Sequence, residues 1–188
     1  MKNKHDKYYQ YLKNRSVIGF LYRKFILYPK LNKRLQGKIL DVGCGIGDFL
    51  RYNKNAVGVD VNENAVNDLK NQGLNVFHMD YDVLPFDNGK FDSIVLDNVL
   101  EHISNPKPLL LEAHRVLKKN GLLLIGVPGI YGYTKDDDHK CFYDEKKLNK
   151  ELIKFNFILE EFFNTPLKSS FLNKNLSPYC LYGLFKKI

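Results

Sequence analysis

From residue 37 onward, short apolar runs alternate with stretches of helical spacing. "KILDVG", "AVGVD", "LNVFHM", "FDSIVL" and "LLLIGVP" read as strands. The last is nearly unbroken in its apolar character, as a strand buried on both faces requires. Between them the spacing predicts a short helix after the first strand, ended by Asn53, Lys54 and Asn55. A second covers 62–72, with Asn62 as its N-cap and Gly73 as its stop. A third runs from Pro106 to Lys118 and turns Leu109, Leu110, Ala113, Val116 and Leu117 inward. After a polar loop come a helix opened by Asp144, a strand near 157–163 and a last strand near 179–185. This order predicts an α/β fold, an open and mostly parallel sheet with helices on both faces.

Ahead of the sheet, residues 5–34 read as helix. Ile18, Leu21, Tyr22 and Phe25 form an apolar stripe with Arg15 and Arg23 off it, and Pro29 is expected to break or kink the helix. Phe20 and Leu27 fall on another side, which predicts cover on more than one face. The division expected is a helical cap or lid over 1–36 and a ligand-binding domain over 37–188. The run "VIGFLYRKFILY" is interrupted by Arg23 and Lys24, so neither a signal core nor a membrane span is expected, although peripheral contact stays open.

Charge changes the picture only once it is mapped. Of the net +8, residues 1–38 carry 11 Lys and Arg against Asp6 alone. Residues 39–139 hold 9 basic against 15 acidic residues, so the centre of the protein is acidic. A basic appendage can steer an anionic partner or surface, or be no more than a solvated face. Cys44, Cys141 and Cys180 are far apart, have no metal-ligand spacing, and suit a reducing, cytoplasmic setting.

The chemistry concentrates in "ILDVGCGIGDFL". Gly43, Gly45 and Gly47 permit a tight turn and a close backbone approach to a ligand. The spacing G-C-G-I-G is not the G-x-G-x-x-G that aims a helix at a pyrophosphate. Asp41 stands two residues before the first glycine and Asp48 opens the helix. Carboxylates there oppose a pyrophosphate and suit a ligand carrying an ammonium and a sulfonium. Asp60 ends the second strand, where an acid can accept both hydroxyls of a ribose. Asp80 ends the third, where it can accept from an adenine amine, with Tyr81 and Val83 near the ring.

The matching stretches "ILDVGCGIGDFL", "VGVD", "DYDVLPFDNGKFDSIVLDNVLEHISNP" and "EAHRVLKKNGLLLIGVP" resemble the class I S-adenosylmethionine-dependent methyltransferases, in the small-molecule branch around the ubiquinone-type enzymes. One departure is Asn120 before Gly121, where that family usually has Pro-Gly; only the turn should feel it. The resemblance implies a Rossmann-like, doubly wound sheet of seven strands, the last antiparallel. It implies S-adenosyl-L-methionine as cofactor, its amino-acid end held by Asp41 and the loop of Gly43, Cys44, Gly45 and Gly47. Asp60 with Val61 would take the ribose and Asp80 with Tyr81 the adenine. Asp97 and Asn98 would lie beside the methionine and the transferred methyl. The reaction implied is direct displacement at the methyl carbon, in which the enzyme mostly aligns the reacting atoms.

The acceptor is less legible. His139, in the loop "GYTKDDDHKCFYD" after the fifth strand, is the candidate general base, with Asp97 as the alternative. His102, Phe142 and Tyr143 are candidate substrate-wall residues. No metal is expected, because one consecutive acid run cannot easily supply a coordination shell. The Asn/Asp-Pro-Pro-Tyr/Phe signature of many nucleic-acid methylases is missing after the fourth strand, where "DNVLEH" stands. The loop "GIYGYTKDDDHKCFY" resembles that of methyltransferases of surface-glycan pathways, which implies a hydroxylated small molecule, a sugar or glycan precursor, as acceptor. RNA methylation with the basic arm tracking phosphates is the alternative, and a non-catalytic S-adenosylmethionine-binding subunit is a third.

Overall fold

A computed structural model describes residues 6, 9, 10, 12–14, 16–81 and 83–188. Arg15 of the expected helix, together with Tyr8 and Tyr11, lies outside the described residues. Seven strands form one sheet in the order β3-β2-β1-β4-β5-β7-β6. They are β1 (Ile39–Val42), β2 (Ala56–Asp60), β3 (Val76–His78), β4 (Phe91–Asp97), β5 (Leu117–Pro128), β6 (Phe157–Thr165) and β7 (Cys180–Lys187). The first five pair in parallel. β7 inserts between β5 and β6 and runs antiparallel to both. β1 is flanked by β2 and β4, so strand order reverses there and a crevice opens beyond its carboxyl end.

Period-two alternation sorts the sheet into two cores. Leu40, Val42, Ile94, Leu96, Leu123, Ile125, Leu181 and Phe185 share one face. It is covered by α5 (Lys107–Val116) and α7 (Glu145–Ile153), through residues such as Leu110 and Leu148. Ile39, Val95, Leu124 and Tyr182 share the other, against Phe49 and Leu50 of α3 (Asp48–Tyr52) and Val66 and Leu69 of α4 (Glu63–Asn71). Asn62 caps α4 by accepting from the backbone N–H groups of Asn64 and Ala65, and Gly73 follows it with φ +77°.

The segment before the sheet is helical as α1 (Val17–Tyr22), a π turn (Arg23–Leu27) and α2 (Tyr28–Asn32). Its buried face is not the expected stripe. Ile18, Leu21 and Phe25 are exposed, while Leu27, Tyr28 and Leu31 pack into the second core. The π turn supplies the reason: its wider winding rotates the inward face away from an unbroken 3.6-residue stripe. Pro29 does not break the helix either, because it falls in the first turn of α2, where a missing N–H costs little. Burying Leu27, Tyr28 and Leu31 stabilises the docked segment by about 1.5–3 kcal/mol per side chain.

Three further details depart from the sequence pattern. α5 ends at Val116, and Phe91 pairs with Leu117 while Ser93 pairs with Leu122, so residues 118–121 bulge from β5. Asn120 sits in that bulge with φ +62°. Two short helices, α6 (Ile130–Tyr133) and α8 (Ser170–Asn175), carry no helical stripe long enough to be read.

Candidate active site

The crevice beyond β1 is a cavity of about 530 Å³, walled by the ends of β1, β2 and β4 and by the N-terminal helical segment. Its floor is the glycine loop. The backbone N–H groups of Gly43 and Cys44 donate to the carbonyl of Val59 at 2.9 and 3.0 Å, which ties the loop to β2. Gly43 has φ +72°, and a Cβ there would lie 2.7 Å from Cγ2 of Val99, so no other residue fits without displacement.

Asp60 fixes the next part of the loop. Its Oδ2 accepts from Gly45 N–H at 2.8 Å and its Oδ1 from Asn62 N–H at 2.9 Å. Both oxygens are thereby fixed between the glycine loop and the start of α4. Asp41 is 5% exposed and shares the cavity wall. Burial pushes its carboxyl up to about 8, with Asp97 and Asp60 adding to the shift and Arg23 opposing it. A buried acid of this kind is poised to pair with a cation.

Asp97, at the end of β4, is held by three donors. Tyr182 Oη donates to Oδ1 at 2.6 Å, Asn98 Nδ2 to the same oxygen at 3.0 Å, and Arg23 Nη1 to Oδ2 at 3.3 Å. Gly126 makes room for this, since a Cβ there would run into the Tyr182 ring and approach Asp97 Oδ1 to 2.9 Å. With both oxygens engaged, Asp97 is a fixed acceptor and a poor choice of mobile proton carrier. Tyr9, Leu12, Arg23 and Tyr28 close the cavity from the N-terminal side. Tyr9 Oη donates to Asp68 Oδ2 at 2.6 Å, and Lys13 pairs with the same oxygen at 2.6 Å, so this cover is tied to α4.

A second group lies at the far end of the wall, around the 3₁₀ turn Leu100–His102. His102 lines the cavity. Burial, then the neighbouring His139, lowers its pKa from the usual 6.5. The His139 ring lies 4.7 Å from it, centroid to centroid, and stacks on Tyr133 at 5.3 Å. His139 Nδ1 is 2.8 Å from the Tyr133 carbonyl, which assigns the N–H to that nitrogen, and Nε2 faces Glu101 Oε1 at 3.9 Å. Glu101 is 1% exposed, and neither carboxyl oxygen has a hydrogen-bond partner among the described residues. Burial pushes its carboxyl up to about 8, with Asp97 and Asp136 adding to it. Ligand atoms of Glu101, His102 and His139 all lie within 4.8 Å of one another.

The wall thus brings together Asp41, Gly43, Cys44, Gly45, Asp60, Val61, Tyr81, Asp97, Asn98 and His102. Other expected residues fall elsewhere. Gly47 is off the wall; with φ +75° it opens α3, close against Leu69 and Leu74. Asp80 is exposed in a bridge with Val83 and off the wall, although its neighbours Met79 and Tyr81 line it. His139 sits behind His102. Phe142 packs edge-on against Tyr133 at 5.3 Å, and Tyr143 is a core side chain, 4% exposed. Neither lines the cavity, because the chain after His139 turns inward to start α7. The pattern missed Glu101 and Tyr182. Only Glu101 carried a signal, as an acid set between Leu100 and Ile103 in an apolar stretch.

A family model described as a methyltransferase domain matches residues 40–125, which contain the glycine loop, Asp60 and the Asp97–His102 stretch. Residues 40–125 thus match a methyltransferase domain, and the comparisons support a class I S-adenosylmethionine-dependent methyltransferase. S-adenosylmethionine is the cofactor of such domains. The chain is 32% identical over 100 residues to a ubiquinone biosynthesis O-methyltransferase of Coxiella burnetii, covering 47% of this chain and 43% of that one. It is 30% identical over 113 residues to a tRNA (carboxymethyluridine(34)-5-O)-methyltransferase of Xenopus tropicalis, covering 57% and 18%. A solved S-adenosylmethionine-dependent methyltransferase from Thermotoga maritima superposes with a TM-score of 0.75 at 19% identity, over 100% of this chain and 97% of that one. That likeness concerns the fold. The chain spans about half the length of the curated relatives it matches. The methyltransferase domain meets its cofactor's chemistry where it can be checked on the residues: the ammonium of such a ligand suits the buried Asp41, and its ribose suits the two oriented oxygens of Asp60.

Proposed function

We propose that the chain transfers a methyl group from S-adenosylmethionine to a hydroxyl of a small molecule, with a sugar or glycan precursor as the acceptor class. The observation that carries this reading is His102 on the cavity wall, facing the same space as Asp41, Asp60 and Asp97. The cavity lies in the range of small-molecule sites, about 300–1,000 Å³, and Tyr9, Leu12 and Arg23 line it from the N-terminal side.

When bound, the cofactor supplies a methyl carbon made electrophilic by its sulfonium. The residues do the rest. Asp41 would pair with the ammonium, and the Gly43–Gly45 backbone would hold the amino-acid end. Asp60 and Val61 would hold the ribose, and Tyr81 with Asp80 the adenine. Asp97 and Asn98 fix the methionine end. His102 would accept the proton of the acceptor hydroxyl. Its lowered pKa keeps it neutral, the form a base must have. His139 orients it from behind. In this reading residues 1–36 act as a lid on the substrate side.

A second reading, RNA methylation with the basic N-terminal segment along phosphates, draws on the tRNA-modifying relative. Labelled cofactor incubated with hydroxylated metabolite fractions and with total RNA separates the two. Label in a small-molecule ether supports the proposal, label in RNA replaces it, and none in either points to a cofactor-binding subunit without turnover.

A further inference from the structure

The helical segment that lids the cavity turns an apolar face outward. Val17 is 72%, Ile18 80% and Phe25 65% exposed, with Phe20, Leu21 and Ile26 exposed beside them. All six lie within ten residues, and the segment's inward packing is done by Leu27, Tyr28 and Leu31 instead. Leu167, also exposed, follows Pro166, whose carbonyl accepts from Lys30 Nζ. Patches of this kind on a soluble domain mark a docking surface.

Charge says what docks. Lys24 Nζ stands over the rings of Phe20 and Phe25, 5.8 and 5.5 Å from their centroids, so an ammonium sits among the apolar side chains. Lys33 and Lys38 are exposed farther along, and residues 1–38 contain 11 basic residues and one acid. A second copy of the chain meeting this face about a two-fold axis would set two strongly basic segments against each other. Apolar side chains flanked by lysines instead match the interface of an anionic bilayer, where the chains enter the acyl boundary and the ammoniums meet headgroups. No helix among the described residues is long and apolar enough to cross a membrane, so the contact is peripheral.

We propose that the outer face of residues 17–26 seats on an anionic lipid bilayer. The inner side of the same segment carries Arg23 and Tyr28 into the cavity wall, so docking brings the cavity against the lipid surface. On the methyl-transfer reading, and resting on it, the acceptor is then an amphiphile with its hydroxylated head in the cavity and its apolar tail in the bilayer.

The test is co-sedimentation of the full chain with phosphatidylcholine vesicles, with and without about 30% phosphatidylglycerol. The expected result is at least about tenfold stronger binding to the anionic vesicles, lost near 0.5 M salt. A chain with Ile18→Glu and Phe25→Glu, both at exposed positions, should bind those vesicles at least about tenfold more weakly while its affinity for S-adenosylmethionine is unchanged. No binding to either vesicle overturns the proposal, as does binding that the double variant leaves intact. A dimer that dissolves in the double variant, without vesicle binding, gives the face to a second copy. Pelleting does not depend on methyl transfer, so failure of the catalytic reading leaves this result standing.

Discussion

Arg23 Nη1 stands 3.3 Å from Asp97 Oδ2, joining the π turn of the N-terminal segment to the carboxyl end of β4. Burial opposes the Arg23 charge most strongly of any one cause, yet Asp97 together with Tyr28 and Tyr182 outweighs it and raises the guanidinium pKa. The two side chains are 26% and 14% exposed, and Asp97 keeps Tyr182 and Asn98 as donors, so the coupling is smaller than that of a fully buried pair. A double-mutant cycle of Arg23→Met with Asp97→Asn, read by urea unfolding, should give about 1–2 kcal/mol of coupling. Coupling below about 0.3 kcal/mol would make the contact incidental to the lid's position.

Asp41 makes both stability and ligand binding depend on pH. Its folded pKa of about 8 lies above the ordinary 3.8, so between those values the folded state holds a proton that the unfolded chain releases. The stability this provides is complete below pH 4 and is lost as pH rises through 8. Glu101, raised from 4.5 to about 8, acts in the same direction. The ligand-free chain should therefore lose stability between pH 5 and 8 through these two groups, and Asp41→Asn should flatten the slope in thermal unfolding. Pairing with an ammonium requires the ionised form, so cofactor binding at pH 7 should release a proton. Titration calorimetry in buffers of different ionisation enthalpy reads this directly; zero proton release would remove Asp41 from the ammonium site.

Asp60→Ala should weaken S-adenosylmethionine binding by roughly 1.5–3 kcal/mol, the cost of losing charge-assisted hydrogen bonds. The same change frees the N–H groups of Gly45 and Asn62, so part of the loss reflects a loosened loop. Asp60→Asn, which keeps one acceptor oxygen, should recover part of it. Parallel titration with NAD sets the specificity, and tighter binding of NAD than of the methyl donor would overturn the cofactor assignment.

The closeness of Glu101, His102 and His139 also fits a divalent cation, contrary to the expectation of no metal. The proton-handling reading requires that extensive chelation leave kcat unchanged. A loss of tenfold or more, restored by magnesium or manganese, would transfer the three side chains to metal binding.

The sheet was legible because three of the five parallel strands are apolar runs with an aspartate at or next to the carboxyl end: Asp41, Asp60 and Asp97. Period two along β1, β4 and β5 then sorts side chains between the two cores. The lid was not legible. Ile18, Leu21 and Phe25 satisfy a helical stripe as well as Leu27, Tyr28 and Leu31 do, and no local pattern announces the π turn that turns one set outward. Tyr182 was invisible for a different reason. Its contact with Asp97 spans 85 residues and depends on β7 inserting beside β5, a pairing that no spacing within β7 encodes. His139 was read as facing the substrate because the loop after the fifth strand borders such crevices. The chain instead folds back so that the Glu101 carbonyl accepts from Lys140 and Cys141 N–H, at 2.7 and 3.1 Å, and His139 is drawn behind His102.

That reversal supplies the last prediction. If the proton of the acceptor hydroxyl goes to the imidazole on the wall, His102→Ala should lower kcat by about 10²–10⁴-fold with little change in cofactor affinity. His139→Ala should cost only about tenfold, because a positioning residue acts through the one that remains. Its loss should also move the limb of the pH–rate profile that belongs to His102. His139 contributes to the lowering of the His102 pKa, so its removal should shift that limb to higher pH. A purely structural role for His139 would lower stability and leave the limb in place. Phe142→Ala should leave KM for the acceptor nearly unchanged, since its ring packs on Tyr133 away from the cavity. Should His139→Ala prove the more damaging of the two histidine changes, with His102→Ala under fivefold, the base would be His139, reached by a movement of the Asp136–His139 loop that brings it to the wall.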